Sequence, residues 1–273
     1  FVAAEPFGDG VKAEYDADTG NVTFKTPDGL KVTFTAADEV PGQSTPNARL
    51  FNKPNPAGGV LGGSLSTPHV NAVPLSYTRF GTVFSTGAAP LDGHAFVFGV
   101  NTLPRDLPKS GSATYTAAAG GSATLAGSLT PLRLTGSSAT FSADFGTGAI
   151  ATTIKLVGTP AAGGASVALD DLTGLGSISA AKPGFSGLFT GTGTVSGTFN
   201  GAFFGPEAVE FGYSFLVGGT SAAGKAFTAI GGAFGSTAIP PPPPPPVYTA
   251  FQDLTGVQNF ASAGVRYSFA PVP

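Results

Sequence analysis

The 273-residue sequence predicts an all-β protein, an antiparallel barrel of about eight strands, on three observations. From Val195 to Phe203 the chain alternates strictly. Val195, Gly197, Phe199, Gly201 and Phe203 share one side, while Ser196, Thr198, Asn200 and Ala202 share the other. That is the period of a half-buried strand, and glycines on its apolar side leave room for bulky neighbours in a barrel interior. From residue 111 onward, Gly/Ala/Ser/Thr segments interrupted by aromatics repeat the pattern. Forty-one glycines and 24 prolines punctuate the chain, and 23 phenylalanines can fill a core.

The elements follow in order. Residues 1–10 read as loop. Val11, Ala13 and Tyr15 alternate with Lys12 and Glu14. After the DADTG turn at 16–20, residues 22–25 and 30–34 complete a small meander, with Pro27-Asp28-Gly29 as the second turn. Residues 37–74 are rich in proline, glycine and asparagine and predict a long irregular connection. Residues 75–84 and 95–100 read as strands, and 101–110 as a polar linker. Eight strand segments are then expected at 112–118, 122–130, 137–145, 149–157, 175–179, 187–203, 210–217 and 225–235. A single helical turn fits 168–172. Closing the ring would remove exposed edges, and the hairpin at 185–215 is expected to close it.

Residues 240–246 are seven consecutive prolines. Such a run forms a stiff polyproline II rod of roughly 20 Å at about 3.1 Å per residue. The organisation expected is therefore an irregular N-terminal β region at 1–110, a barrel at 111–239, the linker at 240–246, and a C-terminal strand segment at 247–273. Twenty-seven residues cannot form a core of their own.

Composition excludes several classes. Without cysteine there are neither disulfides nor thiolate metal sites. A net charge of −3 gives no reason to expect nucleic acid. No run of about 18 apolar residues marks a membrane-spanning helix. Methionine is absent even at position 1, so the chain is expected to start after processing or to be a fragment. Low charge and abundant Ser/Thr fit an exported protein.

Two motifs carry a resemblance. GTFNGAFFGPEAVEFGYSF at 197–215 resembles the last-barrel motif of the transferrin-binding-protein-B-like surface lipoproteins, G-x-F-x-G-x-F-[FY]-G-P-x-A-x-E-x-G-G-x-F. Tyr213 stands where that motif has its second adjacent glycine. ATFSADFGTGAIATTIKL at 139–156 is similar to the family's x-x-F-x-x-D-F hairpin. Together they cover roughly residues 110–235. The resemblance implies an eight-stranded barrel and an exported bacterial protein at the cell surface, associated with the outer membrane. It also implies binding of haem, iron or an iron carrier, and recognition by a surface receptor.

In that family a proline-rich linker, a segment like FQDLTGVQNF and a Val/Tyr strand begin the mature domain; here they stand at the C-terminus. The tail is thus expected to supply an opening strand that residues 1–235 lack. It either inserts into a neighbouring subunit, folds back on its own chain as a circular permutation, or is a plain linker with a frayed end. Donation is the leading expectation. It would make the chain a structural subunit of a homo-oligomer or filament, with Phe251, Leu254, Phe260, Val265, Tyr267 and Phe269 as contacts.

Catalytic signals are weak. His69 and His94 are the two histidines and the only candidate ligands for haem or a small iron-containing molecule, yet no spacing links them. Exposed loop histidines are the plainer reading. Asp170-Asp171 and Asp16/Asp18 are better turn residues than calcium ligands, because calcium takes six to eight oxygens. Gly191-Thr192-Gly193 lacks the helix of a phosphate loop. Tyr77, Phe80, Phe84, Phe96 and Phe98 read as core. No nucleophile–base pair stands out, so the chain is expected to be non-enzymatic, without metal or cofactor.

Overall fold

A computed structural model describes residues 2–87, 91–128, 130–180, 182–237 and 248–269. The proline run lies outside the described residues. The N-terminal part gives β1 (Val2–Glu5), β2 (Lys12–Asp16), β3 (Val22–Lys25), β4 (Lys31–Phe34), β5 (Ala48–Pro54) and β6 (Val60–Ser66). The short pair β7 (His69–Val70) and β8 (Val73–Pro74) follows, then β9 (Thr78–Ser85) and β10 (Leu91–Gly99). Next come β11 (Ser112–Leu125), β12 (Leu132–Arg133), β13 (Ser138–Asp144), β14 (Ala149–Pro160) and β15 (Val167–Ile178). The barrel part ends with β16 (Gly184–Thr190), β17 (Ser196–Phe204), β18 (Glu210–Thr220) and β19 (Ala226–Thr237). The tail gives β20 (Val257–Phe260) and β21 (Ser262–Phe269). The described residues contain no α-helix.

Eight antiparallel strands, β11 and β13 to β19, form a closed ring. Closure is made by β11 against β19, from Tyr115 opposite Thr237 to Leu125 opposite Phe227. The hairpin at 185–215 therefore lies within the wall and does not close it. It holds β16, β17 and β18, because Thr190 to Ser196 is a turn inside the long apolar run. At the other end, the two expected strands at 112–118 and 122–130 are mostly one bent strand, β11. Gly121 makes that bend possible: its φ is +144°, and a Cβ there would lie 2.2 Å from the Ile230 carbonyl oxygen. One strand read as two and two read as one leave the number at eight.

The helical turn expected at 168–172 is strand. Val157 opposes Ala168 and Leu156 opposes Asp170, so Leu169 is the extra residue of a β-bulge. The bulge puts Leu169 and Leu172 on the same buried side despite a spacing of three, which imitates a helix in the sequence.

Residues 1–110 are more regular than their composition suggests. β1 replaces the expected loop, and β5 and β6 occupy the stretch read as irregular. Gly62 and Gly63 hide the alternation of β6; Cβ atoms there would strike Phe84 and Phe34. The expected meander is β2–β3–β4, and with β20 on its edge it becomes a four-stranded sheet. A six-stranded sheet, β1–β21–β10–β9–β6–β5, packs over it. Between them Phe24, Phe34, Phe51, Phe96, Phe98, Phe251 and Phe260 form one core. The opposite side of the six-stranded sheet lies against the barrel wall, with Val97 and Ala263 beside Ala202, Phe204 and Phe234.

The tail folds back on its own chain. β21 is paired on both edges, with β1 from Val2 opposite Tyr267 and with β10 from Leu91 opposite Phe269. Donation to a neighbour was the leading expectation; here the strand completes its own sheet.

Candidate functional site

The barrel interior is filled by aromatic side chains among the described residues. Phe141, Phe185, Phe189, Phe199, Phe203, Phe211, Tyr213 and Phe215 are buried together in it. Phe141 stacks on Phe211 at 3.8 Å between ring centroids. Tyr213 shares a 2.8 Å hydrogen bond with the Thr152 hydroxyl, and Tyr115 donates to the Ala208 carbonyl at 2.7 Å. Burial pushes both phenols well above their ordinary range. An eight-stranded ring is just wide enough for side chains to fill, and here they do.

The two histidines are not brought together. His69 lies on β7, with Nδ1 2.9 Å from the Thr67 carbonyl oxygen. His94 lies on β10, 2% exposed, between two carboxylates: Nδ1 is 2.7 Å from Glu5 Oε1 and Nε2 is 3.4 Å from Asp28 Oδ1. Both ring nitrogens of His94 therefore face carboxylate oxygens. Arg266 of β21 extends the cluster to Asp28 at 3.1 Å and Asp92 at 2.6 Å. Burial would raise Asp28, but the Thr26 hydroxyl, His94 and Arg266 hold it below the usual carboxylate range. These groups tie β1, β10, β21 and the β3–β4 turn into one charged clamp.

The predicted tail contacts are placed as follows. Phe251 and Phe260 lie in the sandwich core, with Leu254 packed against it. Arg79 sits 4.2 Å over the Phe251 ring and donates to the Leu75 and Thr78 carbonyls. Burial lowers Arg79 to about 10, still charged at neutral pH. Val265 and Tyr267 pack with Ala95 and Leu216, joining the sandwich to the barrel; burial pushes Tyr267 up to about 12. Phe269 pairs with Leu91 through its backbone, and its side chain lies outside the described residues.

The acidic pairs are turn anchors. Asp16 accepts from the Asp18 and Thr19 backbone N–H groups and the Thr19 hydroxyl within its own turn. Asp170 accepts from the Thr192 backbone N–H at 2.9 Å and hydroxyl at 2.8 Å, and so fixes the β16–β17 turn. Asp171 points outward toward Lys155 at 3.8 Å. No group of three or more metal-binding side chains occurs among the described residues.

Sequence reasoning missed Glu210. It is buried at the start of β18 and reaches out of the barrel to the Ser76, Tyr77 and Thr78 backbone N–H groups. Its only sequence signal is its place as the glutamate of the 197–215 motif.

Five surface clefts measure about 210 to 310 Å³. They lie at or below the low end of small-molecule sites, about 300–1,000 Å³. The most apolar, about 260 Å³, runs between sandwich and barrel past Phe80, Ala95, Ile230 and Tyr267.

No family model and no curated protein matches the chain. Solved structures do. A double mutant of the vaccine antigen transferrin-binding protein B from Haemophilus parasuis Hp5 is 17% identical, with a TM-score of 0.48, over 83% of this chain and 44% of that one. The chain is similar to transferrin-binding protein B. The isotype 1 transferrin-binding protein B of serogroup B Neisseria meningitidis is 16% identical, with a TM-score of 0.45, over 84% and 43%. The N-lobe domain of lactoferrin-binding protein B of Moraxella bovis is 13% identical, with a TM-score of 0.33, over 84% and 97%. The chain thus spans less than half the length of the transferrin-binding protein B chains. The fold itself stands on the strand pairings above.

Proposed function

We propose that this chain is a non-enzymatic binding protein at the bacterial cell surface, and that it binds another protein, an iron carrier, through its outer surfaces. The observation that carries this is the aromatic filling of the barrel. With the interior packed and both nitrogens of His94 facing carboxylates, the described residues offer haem or free iron no prepared site, so recognition falls to the exterior. The two sequence motifs support the iron-carrier class. The described residues of 2–110 and 248–269 act as one folding unit beside the barrel strands of 112–237, because β20 and β21 complete its two sheets. Within one chain both edges of β21 are already paired, so a fibre built by strand donation is not needed to complete the sheet.

The test is interferometry of the immobilised chain against transferrin and lactoferrin, alongside a haem titration. Saturable binding of a carrier protein without a Soret shift supports the proposal. A Soret shift lost on His69→Ala or His94→Ala overturns it in favour of haem. Concentration-dependent fibres in light scattering overturn it in favour of donation.

A further inference from the structure

The four-stranded sheet turns one side to the sandwich core and the other outward. Three lysines stand side by side on the outward side. Lys12 is directly opposite Lys25, and Lys25 directly opposite Lys31, across β2, β3 and β4. Alternation fixes the side they occupy, because the adjacent Ala13, Phe24 and Val32 are buried in the core. Directly opposed residues of antiparallel strands have Cα atoms about 4.5–5.5 Å apart, and like charges so placed repel.

Little on the sheet relieves that repulsion. Glu14 lies 3.0 Å from Lys25 Nζ. Asp28 is in the turn that joins Lys25 to Lys31, but it is drawn under the sheet to His94 and Arg266. Asp16, at the far end of β2, is held within its own turn. Lys53 adds a fourth cation, donating to the Thr33 carbonyl on the outer strand. Thus half of the chain's eight lysines gather on and beside one small sheet, although the net charge is −3. A cleft of about 250 Å³ opens beside the row, lined by Lys12, Glu14, Lys25, Asn259 and Phe260. Val257, 57% exposed, gives the same face an apolar corner.

We propose that the outer face of β20–β2–β3–β4 is the docking surface for an acidic segment of the partner protein. This rests on the reading that the chain binds a protein. Carboxylates of the partner pair with Lys12, Lys25 and Lys31, Asn259 offers hydrogen bonds, and Val257 offers apolar contact. A membrane surface fits less well. The four lysines reach only the lower end of the clusters of about four to eight basic residues used in anionic-lipid recognition, Glu14 offsets one of them, and the chain as a whole is negative.

The experiment compares the intact chain with Lys12→Gln/Lys25→Gln/Lys31→Gln and with Lys155→Gln/Lys225→Gln as a surface control. Thermal melting of each comes first. The triple variant is expected to melt at the same temperature or higher, since repulsion is removed. Three probes follow at 25 and 150 mM salt: a poly-glutamate 20-mer, transferrin, and vesicles containing phosphatidylserine. The expected result is poly-glutamate binding to the intact chain and the control that weakens with salt and falls at least tenfold in the triple variant. Equal poly-glutamate binding by all three proteins, or none by any, overturns the docking surface. Tighter, lysine-dependent binding to vesicles than to poly-glutamate also overturns it, in favour of lipid. Transferrin reports on the function separately. Transferrin bound equally by the intact chain and triple variant overturns the docking surface while the function stands. Lysine-dependent poly-glutamate binding without transferrin binding keeps the surface and removes that carrier.

Discussion

Thr78 donates twice to the same oxygen of Glu210, through its backbone N–H and its hydroxyl, each at 2.9 Å. The Tyr77 N–H reaches that oxygen at 3.0 Å, and the Ser76 N–H reaches the other at 2.7 Å. One barrel carboxylate therefore satisfies the backbone donors where β9 begins, and so fixes the sandwich to the barrel. Burial pushes Glu210 above the usual carboxylate range, while these four donors pull the other way. Glu210→Gln puts an NH2 group where at least one donor must be met. The expected loss is about 1–3 kcal/mol, that of a buried donor left without its acceptor. Urea unfolding measures it, and hydrogen exchange is expected to speed up at residues 76–78.

Gly201 tests whether glycines in the barrel wall make room for bulky neighbours. A Cβ there would lie 2.5 Å from Phe185 Cζ, 2.6 Å from Tyr213 Cβ and 2.4 Å from the Gly212 carbonyl oxygen. Two of these three are fixed by the neighbouring strand. Gly201→Ala is expected to destabilise by about 1–3 kcal/mol, as overpacking does. An unchanged urea midpoint would show that the wall yields.

The alternation of 195–203 was legible because large aromatics and small residues exchange sides without interruption. The barrel was legible in strand number and less so in strand boundaries, since Gly121 bends a strand without ending it and the bulge at Leu169 imitates helical spacing. β5 and β6 were hidden because glycine erases the apolar face that period-two reading depends on. The site was legible in fragments. Phe251 and Phe260 were legible as contact residues, yet the leading expectation placed their partners in a neighbouring chain, because sequence shows that a strand needs partners without showing whose. His94 looked like a loop residue, and its partners lie 89 residues away at Glu5 and 66 residues away at Asp28, too remote for any local pattern.

The tail is expected to be part of the sandwich's stability. Phe251 packs between Arg79, Tyr15 at 5.0 Å, Phe260 at 5.3 Å and Phe98 at 6.1 Å. Phe251→Ala is expected to lose about 3–5 kcal/mol, the range for a buried phenylalanine. A chain ending at Thr237 leaves β1 and β10 without β21 and uncovers Phe98. It is expected to keep the protected amides of the barrel and lose those of residues 2–99 in hydrogen exchange. Restored protection on adding a 248–273 peptide would show that the two sheets need only this segment.

Asp28 makes the clamp sensitive to acid. Its carboxyl is held below its ordinary value of 3.8 in the folded protein, with burial opposed by Thr26, His94 and Arg266. A depressed folded value means that the stabilisation is present above the unfolded value and is lost as pH falls through the folded one. Glu5, Asp92, His94 and Arg266 face the same cluster, so removing the Asp28 charge leaves Arg266 with Asp92 and His94 with Glu5. Asp28→Asn is therefore expected to lower stability at about pH 5, where an ordinary carboxyl is ionised in both states. The gap between the variant and the natural chain is expected to narrow below about pH 4 and to close as Asp28 itself takes a proton. Urea midpoints of the two proteins between pH 2.5 and 7 read this directly; a gap that persists unchanged at the acid end would show that the Asp28 contribution is hydrogen bonding and not charge.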